Sequence, residues 1–422
     1  MMNNRRSFLK AMGGAATFTI VPAHILRSQT APSNQLTRAL IGFGGIAHSG
    51  AHLGLTDTRL VAVCDPDRKR MEEGIQAGQK LFGGKVDGYR DFRDVLQRKD
   101  VDVIHICTPP HWHGPISVYA AQAGKDIWCE KPMTRTIGEG KKVVDAVKAN
   151  GRMFRVNTWF RMHGGFYGFG TEVKPIKKVV QNKLLGFPLR AIVGEGQGFS
   201  LKFGWTGLVN AAPQPVPENL DYDMWLGPAP YKPYHPHRVH GNFRGYWDYD
   251  GGGLGDMGQH YLDPVQYILG KDEESPIRVD VDAPPPHPEA VGSVRRITLK
   301  YADGTEIILD GGGSLKNEPF ISGPNGKLFP RMKSDIPDLE KLLATLPDPL
   351  PQDPSFLHAI QTRVPFPLNE DKAFRSCTLV NLSLVAMRAG RGFDFDPVKL
   401  ICPNDPAVNR FIDQPLRAPW TI

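Results

Sequence analysis

From Leu40 to about Asn157 the chain alternates short apolar runs with longer helix-compatible stretches. The runs Ala39–Ile41, Leu60–Cys64, Val101–Cys107, Asp126–Glu130 and Phe154–Trp159 have the length and apolar character of buried strands. Between them, Ala47–Leu55, Asp67–Leu81, Asp91–Arg98, His113–Ala123 and Thr136–Asn150 read as helices. Such alternation predicts a doubly wound parallel sheet. Beyond Asn157 the pattern changes. A basic helix over Thr171–Leu185 and a strand over Leu189–Phe199 precede residues 210–242, which are rich in Pro, Gly and aromatics. Gly251-Gly252-Gly253-Leu254-Gly255 then leads into a helix over Asp256–Leu269. Strand-like runs follow at Ile277–Asp282, Val294–Tyr301 and Thr305–Leu309, the last two joined through Ala302-Asp303-Gly304 as a hairpin. Helices are expected at Pro354–Arg363 and Lys372–Ala389.

A length of 422 residues suits two domains. The formal charge of +7 changes the picture little, because residues 1–31 hold Arg5, Arg6, Lys10 and Arg27 and no acid. Without them 47 basic residues face 44 acidic ones, and no basic run suggests nucleic acid. That terminus reads as a targeting segment. Asn4-Arg5-Arg6-Ser7-Phe8-Leu9-Lys10 matches the twin-arginine export pattern, with Asn where Ser or Thr is usual, and a weakly apolar stretch, Ala11–Val21, follows. No clear small-x-small cleavage site is present, so a retained N-terminal anchor is an open alternative. No later stretch approaches the length of a membrane span. The five cysteines (Cys64, Cys107, Cys129, Cys377, Cys402) form no C-x-x-C pair and are expected to be small buried thiols.

The first chemistry lies in Ile41-Gly42-Phe43-Gly44-Gly45-Ile46-Ala47. Read as G-x-G-x-x-A between a strand and a helix, it is the turn of a dinucleotide-binding βαβ unit. Gly42 allows the tight turn, Gly44 lets backbone approach a pyrophosphate at a helix N-terminus, and Ala47 allows close packing. The required acidic residue follows at Asp65, at the end of Leu60–Cys64. Asp65 favours NAD, since its charge repels a 2′-phosphate, while Arg68, Lys69 and Arg70 pull toward NADP. Thr108, Pro109 and His113 follow the strand ending at Cys107, and Lys131 follows the strand ending at Glu130. These strand ends are where such sheets bind ligands. Asp256 and His260, spaced i,i+4, fall on one helical face, where the carboxylate can orient the imidazole. The glycines before Asp256 are expected to leave backbone room for a ligand. His235, His237 and His240 are spaced for neither a helix nor a strand to present two ligands, so no metal is predicted. Trp205, Tyr222, Trp225, Tyr231, Tyr234, Tyr246, Trp247 and Tyr249 crowd one region. Their faces suit sugar C–H groups and core packing equally.

Gly42-x-Gly44, Thr108-Pro109-Pro110-His111-Trp112-His113 and Cys129-Glu130-Lys131-Pro132, in this order, resemble the Gfo/Idh/MocA oxidoreductase family. After the export segment, taken as 1–33, the resemblance implies an α/β protein with an NAD(P)-binding Rossmann domain over 34–157 and a C-terminal α/β domain over 158–422. It also implies a large, mostly antiparallel open sheet in the last part, which often forms the interface of a homo-oligomer (dimer or tetramer). The C-terminal helices are expected to pack back on the Rossmann domain. Lys131, Asp256 and His260 match the family's proton-handling residues. Cofactor contacts fall on Gly42, Gly44, Gly45, Ile46, Asp65, Arg68, Thr108, Pro109, His113, Glu130 and Lys131. Arg161, Trp247, His240, Lys131 and His260 are the expected substrate contacts, and Asn157, like Arg161, is expected on cofactor or substrate.

Together these predict an exported NAD(P)-dependent oxidoreductase acting on a sugar or glycoside hydroxyl. Lys131 would stabilise the alkoxide and His260 would take the proton. A periplasmic enzyme has no replenished pool of free NAD, so a tightly bound cofactor must be restored within each cycle. A sugar–sugar oxidoreductase does so, and so does a redox-neutral glycosidase working through transient oxidation and elimination. The family's glycosidases usually differ around the Asp-x-x-x-His pair, which favours the dehydrogenase. A sugar-binding protein that keeps NAD without turnover is a third expectation.

Overall fold

A computed structural model of the protein describes residues 35–49, 52–55, 57–158, 160–162 and 172–422. The predicted export segment, Trp159 and the start of the helix predicted at Thr171 lie outside them. Among the described residues no helix is long and apolar enough to cross a membrane.

Six strands, β1 (Thr37–Ile41), β2 (Arg59–Cys64), β3 (Asp87–Tyr89), β4 (Val103–Ile106), β5 (Asp126–Cys129) and β6 (Phe154–Val156), form a sheet in the order β3-β2-β1-β4-β5-β6. Every pairing is parallel. The order reverses beside β1, so a crevice opens between the carboxyl ends of β1 and β4. The central strands β1, β4 and β5 are buried along their whole length, which explains why they read as unbroken apolar runs. Helices Arg68–Phe82, Phe92–Leu96 and Ile137–Ala149 start where the sequence indicated, capped by Asp67, Asp91 and Thr136.

One element departs from expectation. The predicted helix Ala47–Leu55 is a chain of turns among the described residues, closed by Ala47 N–H to the Gly44 carbonyl and Ser49 N–H to the Ile46 carbonyl. Leu53 N–H reaches the Ser49 carbonyl at i→i−4, so the described part of the stretch mixes the two spacings.

The second sheet has seven strands: β7 (Arg190–Gly194), β8 (Arg278–Asp282), β9 (Arg296–Lys300), β10 (Glu306–Asp310), β11 (Ile321–Gly323), β12 (Gly326–Leu328) and β13 (Phe393–Asp394). Their order is β12-β11-β7-β10-β9-β8-β13, with β7–β10 parallel and the other pairs antiparallel. Turn chemistry was the missing signal for β3 and β11–β13, each three residues or fewer. Two helices join the sheets. Gly252–Leu269 begins four residues before its predicted start, and Glu370–Ala389 packs on both Gly252–Leu269 and Ile137–Ala149. The C-terminal helix therefore does pack back on the first domain, and it carries no single polar face because it is covered nearly all round. All five cysteines are free and buried.

Candidate active site

The crevice above β1 and β4 is a cavity of about 340 Å³. Gly42, Gly44, Gly45 and Ile46 form its floor, with Asp65, Thr108, Pro109 and Trp112 on its walls. Gly42 has φ +88°, and a Cβ there would lie 2.8 Å from the Thr108 nitrogen, so only glycine lets β1 turn this close to the end of β4. The Thr108 hydroxyl is buried with no hydrogen-bond partner among the described residues, a group in want of a ligand. A bare glycine floor and this hydroxyl fit a dinucleotide.

Asp65 does more than sequence suggested. Its carboxylate accepts the backbone N–H of Phe43 and of Asp67, both at 2.8 Å, so it ties the glycine turn to the end of β2. Burial pushes its pKa up to about 6 against those two bonds. The cations predicted near it divide. Arg68 and Lys69 are exposed on the outer face, whereas Arg70 lines the cavity and reaches over Gly44. Arg68 is therefore corrected to Arg70, with Arg90 beside it, anchored by the Pro66 carbonyl at 3.0 Å.

The second domain supplies the opposite wall through Met224, Trp225, His240, Phe243 and Arg244. It is clipped to the first domain where Asn219 Nδ2 donates to Asp67 Oδ1 at 2.7 Å and the Trp225 carbonyl meets His111 and Trp112. His240, expected on the substrate, instead faces this dinucleotide groove, with Nε2 at 3.5 Å from Asp67.

His113 and Glu130 are also corrected. His113 is buried; its ring nitrogens meet the carbonyls of Pro132 (2.6 Å) and Thr108 (2.8 Å), so it braces two loops behind the groove. Burial pushes it down to about 4. The Glu130 carboxylate turns inward to Asn157 Nδ2 (2.5 Å) and His52 Nε2 (3.2 Å). Burial raises Glu130 to about 7. Although no metal was predicted, the fold gathers His52, His105, Cys107 and Glu130 with ligand atoms within 4.8 Å of one another. His52 turns Nδ1 to His105 and Nε2 to Glu130, a sequential chain in which its two nitrogens point to different partners instead of one common centre.

Lys131, Asp256 and His260 do come together, next to Arg244 on the cavity wall. Lys131 Nζ lies 3.1 Å from Asp256 Oδ1, and Arg244 Nε lies 2.9 Å from the same oxygen. Burial works against an ionised Asp256, but the Lys131 and Arg244 charges outweigh it and hold its pKa low. His260 is pushed well below its ordinary value by burial first and by Lys131 second, while Asp256 pulls the other way. That shift keeps the imidazole neutral. Asp250, missed in the sequence, completes the cluster. It is buried, its Oδ1 accepts the Gly251 N–H at 2.7 Å, and burial followed by the Asp256 charge pushes it up to about 8. Its signal in the sequence was an acidic residue directly before a glycine run.

The glycine run itself has another purpose than the predicted ligand space. A Cβ on Gly253 would sit 1.9 Å from the Lys202 carbonyl, and one on Gly252 would sit 2.8 Å from the Trp205 carbonyl. The backbone of residues 201–205 occupies the room. Two further expectations fail. Arg161 has no exposed side-chain surface, because Asp263 and Asp272 each grip its guanidinium. Trp247 is buried, with Nε1 donating to the His287 carbonyl. Most of the crowded aromatics, including Tyr222, Trp225, Tyr234, Tyr246 and Tyr249, form a compact core of their own. Trp205 is 37% exposed and Tyr231 67% exposed.

Residues 36–158 match the family model described as the NAD-binding Rossmann fold of an oxidoreductase family, and residues 169–422 match that family's C-terminal alpha/beta domain. Among curated relatives, a glycosyl hydrolase family 109 protein of Shewanella baltica is 31% identical over 170 residues, 34% of this chain and 37% of that protein. Levoglucosan dehydrogenase of Pseudarthrobacter phenanthrenivorans is 38% identical over 110 residues, 25% of this chain and 28% of that enzyme. The chain thus matches about a third of the length of these relatives. The WlbA dehydrogenase of Bordetella pertussis, solved with NADH and UDP-GlcNAcA, shares the fold at a TM-score of 0.56 and 17% identity, over 86% of this chain and 99% of that one. With both domain models matched in order across its two sheets, the chain belongs to the Gfo/Idh/MocA oxidoreductase family.

Proposed function

We propose that the protein oxidises a hydroxyl of a sugar or glycoside and is exported by the twin-arginine route with its dinucleotide already held. The observation that carries the reading is the shared Asp256 Oδ1 between Lys131 and Arg244, beside a neutral buried His260, at the rim of the dinucleotide groove. A bound nicotinamide supplies the hydride acceptor. Lys131, fixed by Asp256, hydrogen-bonds the substrate hydroxyl and stabilises negative charge as it develops on oxygen. His260 accepts the proton. Asp256 orients Lys131. The wall of Met224, Trp225, His240 and Phe243 closes over the groove and supports slow release of the dinucleotide. Asp65, with Arg70 and Arg90 at the same end, is compatible with NAD and with NADP. A homo-oligomer built on the second sheet, and a periplasmic location, belong to the same proposal.

The glycosyl hydrolase family 109 relatives favour a second reading, a redox-neutral glycosidase that oxidises transiently and reduces again before product leaves. One protocol separates the two. The purified full chain is denatured and the released nucleotide assayed, and absorbance of reduced nicotinamide is followed on adding glycosides. Stoichiometric NAD(H) or NADP(H) with lasting reduction supports the dehydrogenase; bound nucleotide with aglycone release and no lasting reduction supports the glycosidase. Absence of nucleotide, with none bound on addition, sinks both.

A further inference from the structure

Resting on that reading, we infer that the substrate carries an anionic group, which Lys202 and Arg244, both packed on the Trp205 ring, hold beside the Lys131–Asp256–His260 cluster. Lys202 has φ +52°, a left-handed backbone that a non-glycine residue adopts only when its surroundings impose it. The glycine run imposes it, since Gly253 admits the Lys202 carbonyl into space that any side chain would fill. The loop is thereby fixed against the first turn of the helix that bears Asp256 and His260. Lys202 Nζ then lies 4.4 Å from the centre of the Trp205 ring, and Arg244 Cζ lies 5.3 Å from it.

Charge decides what this arrangement can accept. Lys202 is exposed and has no ion-pair partner among the described residues. It still lies near enough to His260 to help push that imidazole down. Arg244 spends Nε on Asp256 and Nη1 on the Gly241 carbonyl. Lys131, Arg244 and Lys202 therefore meet one ionised carboxylate, Asp256, because Asp250 is raised toward its neutral form. A neutral sugar leaves Lys202 unanswered, whereas a carboxylate or phosphate on the sugar answers it. The partly exposed Trp205 beside the two cations offers an apolar edge for the ring carrying that group.

Equilibrium binding tests this without turnover. The full chain, with its dinucleotide, is titrated with methyl glucuronide, glucose 6-phosphate and methyl glucoside, read by tryptophan fluorescence and calorimetry. One or both anionic sugars should bind about tenfold or more tighter than methyl glucoside, as a charge-assisted contact implies, and added salt should erode the gap. Which anion binds identifies the group as carboxylate or phosphate. Lys202→Asn, chosen because Asn tolerates a left-handed backbone, should abolish most of the preference; Lys202→Glu should reverse it. Equal affinity for all three sugars, or a preference unchanged in Lys202→Asn, overturns the inference. Either result leaves the oxidoreductase reading standing, which the released nucleotide tests by itself.

Discussion

Two ion clusters sit on one helix, Gly252–Leu269, seven residues apart, and they are built oppositely. At Asp263 a single cation, Arg161, is gripped by two carboxylates and has no exposed side-chain surface. At Asp256 a single carboxylate is gripped by two cations, and Lys131 and Asp256 each keep 10% of their side-chain surface exposed. The first cluster engages all three nitrogens of its guanidinium internally and cements Arg161, just beyond the first sheet, onto the second domain. The second retains donors for a guest and lies at the rim of a cavity. A buried charge is therefore no guide to function by itself; what separates scaffold from chemistry is whether hydrogen-bonding capacity is left over and where it points.

The sharpest break in this comparison comes from Arg161→Ala. Leaving Asp263 buried without its partner should cost about 3–5 kcal/mol of stability, read as a lower denaturation midpoint with nucleotide content unchanged in the protein that remains folded. Loss of sugar binding without loss of stability would instead make Arg161 a ligand residue. Lys131→Met is the mirror experiment. It should reduce kcat/KM by roughly 10²–10⁴-fold, while the melting temperature shifts little, because Arg244 still holds Asp256.

Asp250 offers a smaller, pH-dependent effect. Its folded pKa of about 8 lies above the unfolded value of about 3.9. An acid raised on folding stabilises most below its unfolded pKa, and that contribution is lost as pH rises through the folded one. Asp65 and Glu130 shift in the same direction but to about 6 and about 7. Melting temperature should accordingly fall as pH rises from about 4, and Asp250→Asn should flatten the part of the slope above about pH 7. An unchanged slope in that variant would show that Asp250 is ionised well below neutrality. The smallest effect expected is the change in affinity at Lys202, a single exposed contact.

Residues whose role depends on strand ends were legible in the chain. Gly42, Asp65, Thr108 and Lys131 each follow an apolar run, and a parallel sheet brings all such ends to one edge whatever else the fold does. Arg161 and Trp247 were misassigned because a guanidinium or an indole looks the same in sequence whether it meets a ligand or Asp263 and the His287 carbonyl. Asp250, Arg244 and Lys202 carried almost no signal. Their places depend on a loop at 201–205, an irregular segment near 240 and a helix start near 252 meeting in space.

The sequence by itself determined the parallel sheet, the glycine turn, its acidic partner and the family, since periodicity and short spacings act within a few tens of residues. Only the tertiary structure decided which charges face one another. It turned Glu130 inward, set Arg70 and not Arg68 on the groove, and placed Arg244 and Lys131 on one oxygen of Asp256. Burial and partner count set the ionisation of a side chain, and a partner can lie more than a hundred positions away, as Lys131 and Asp256 do from each other.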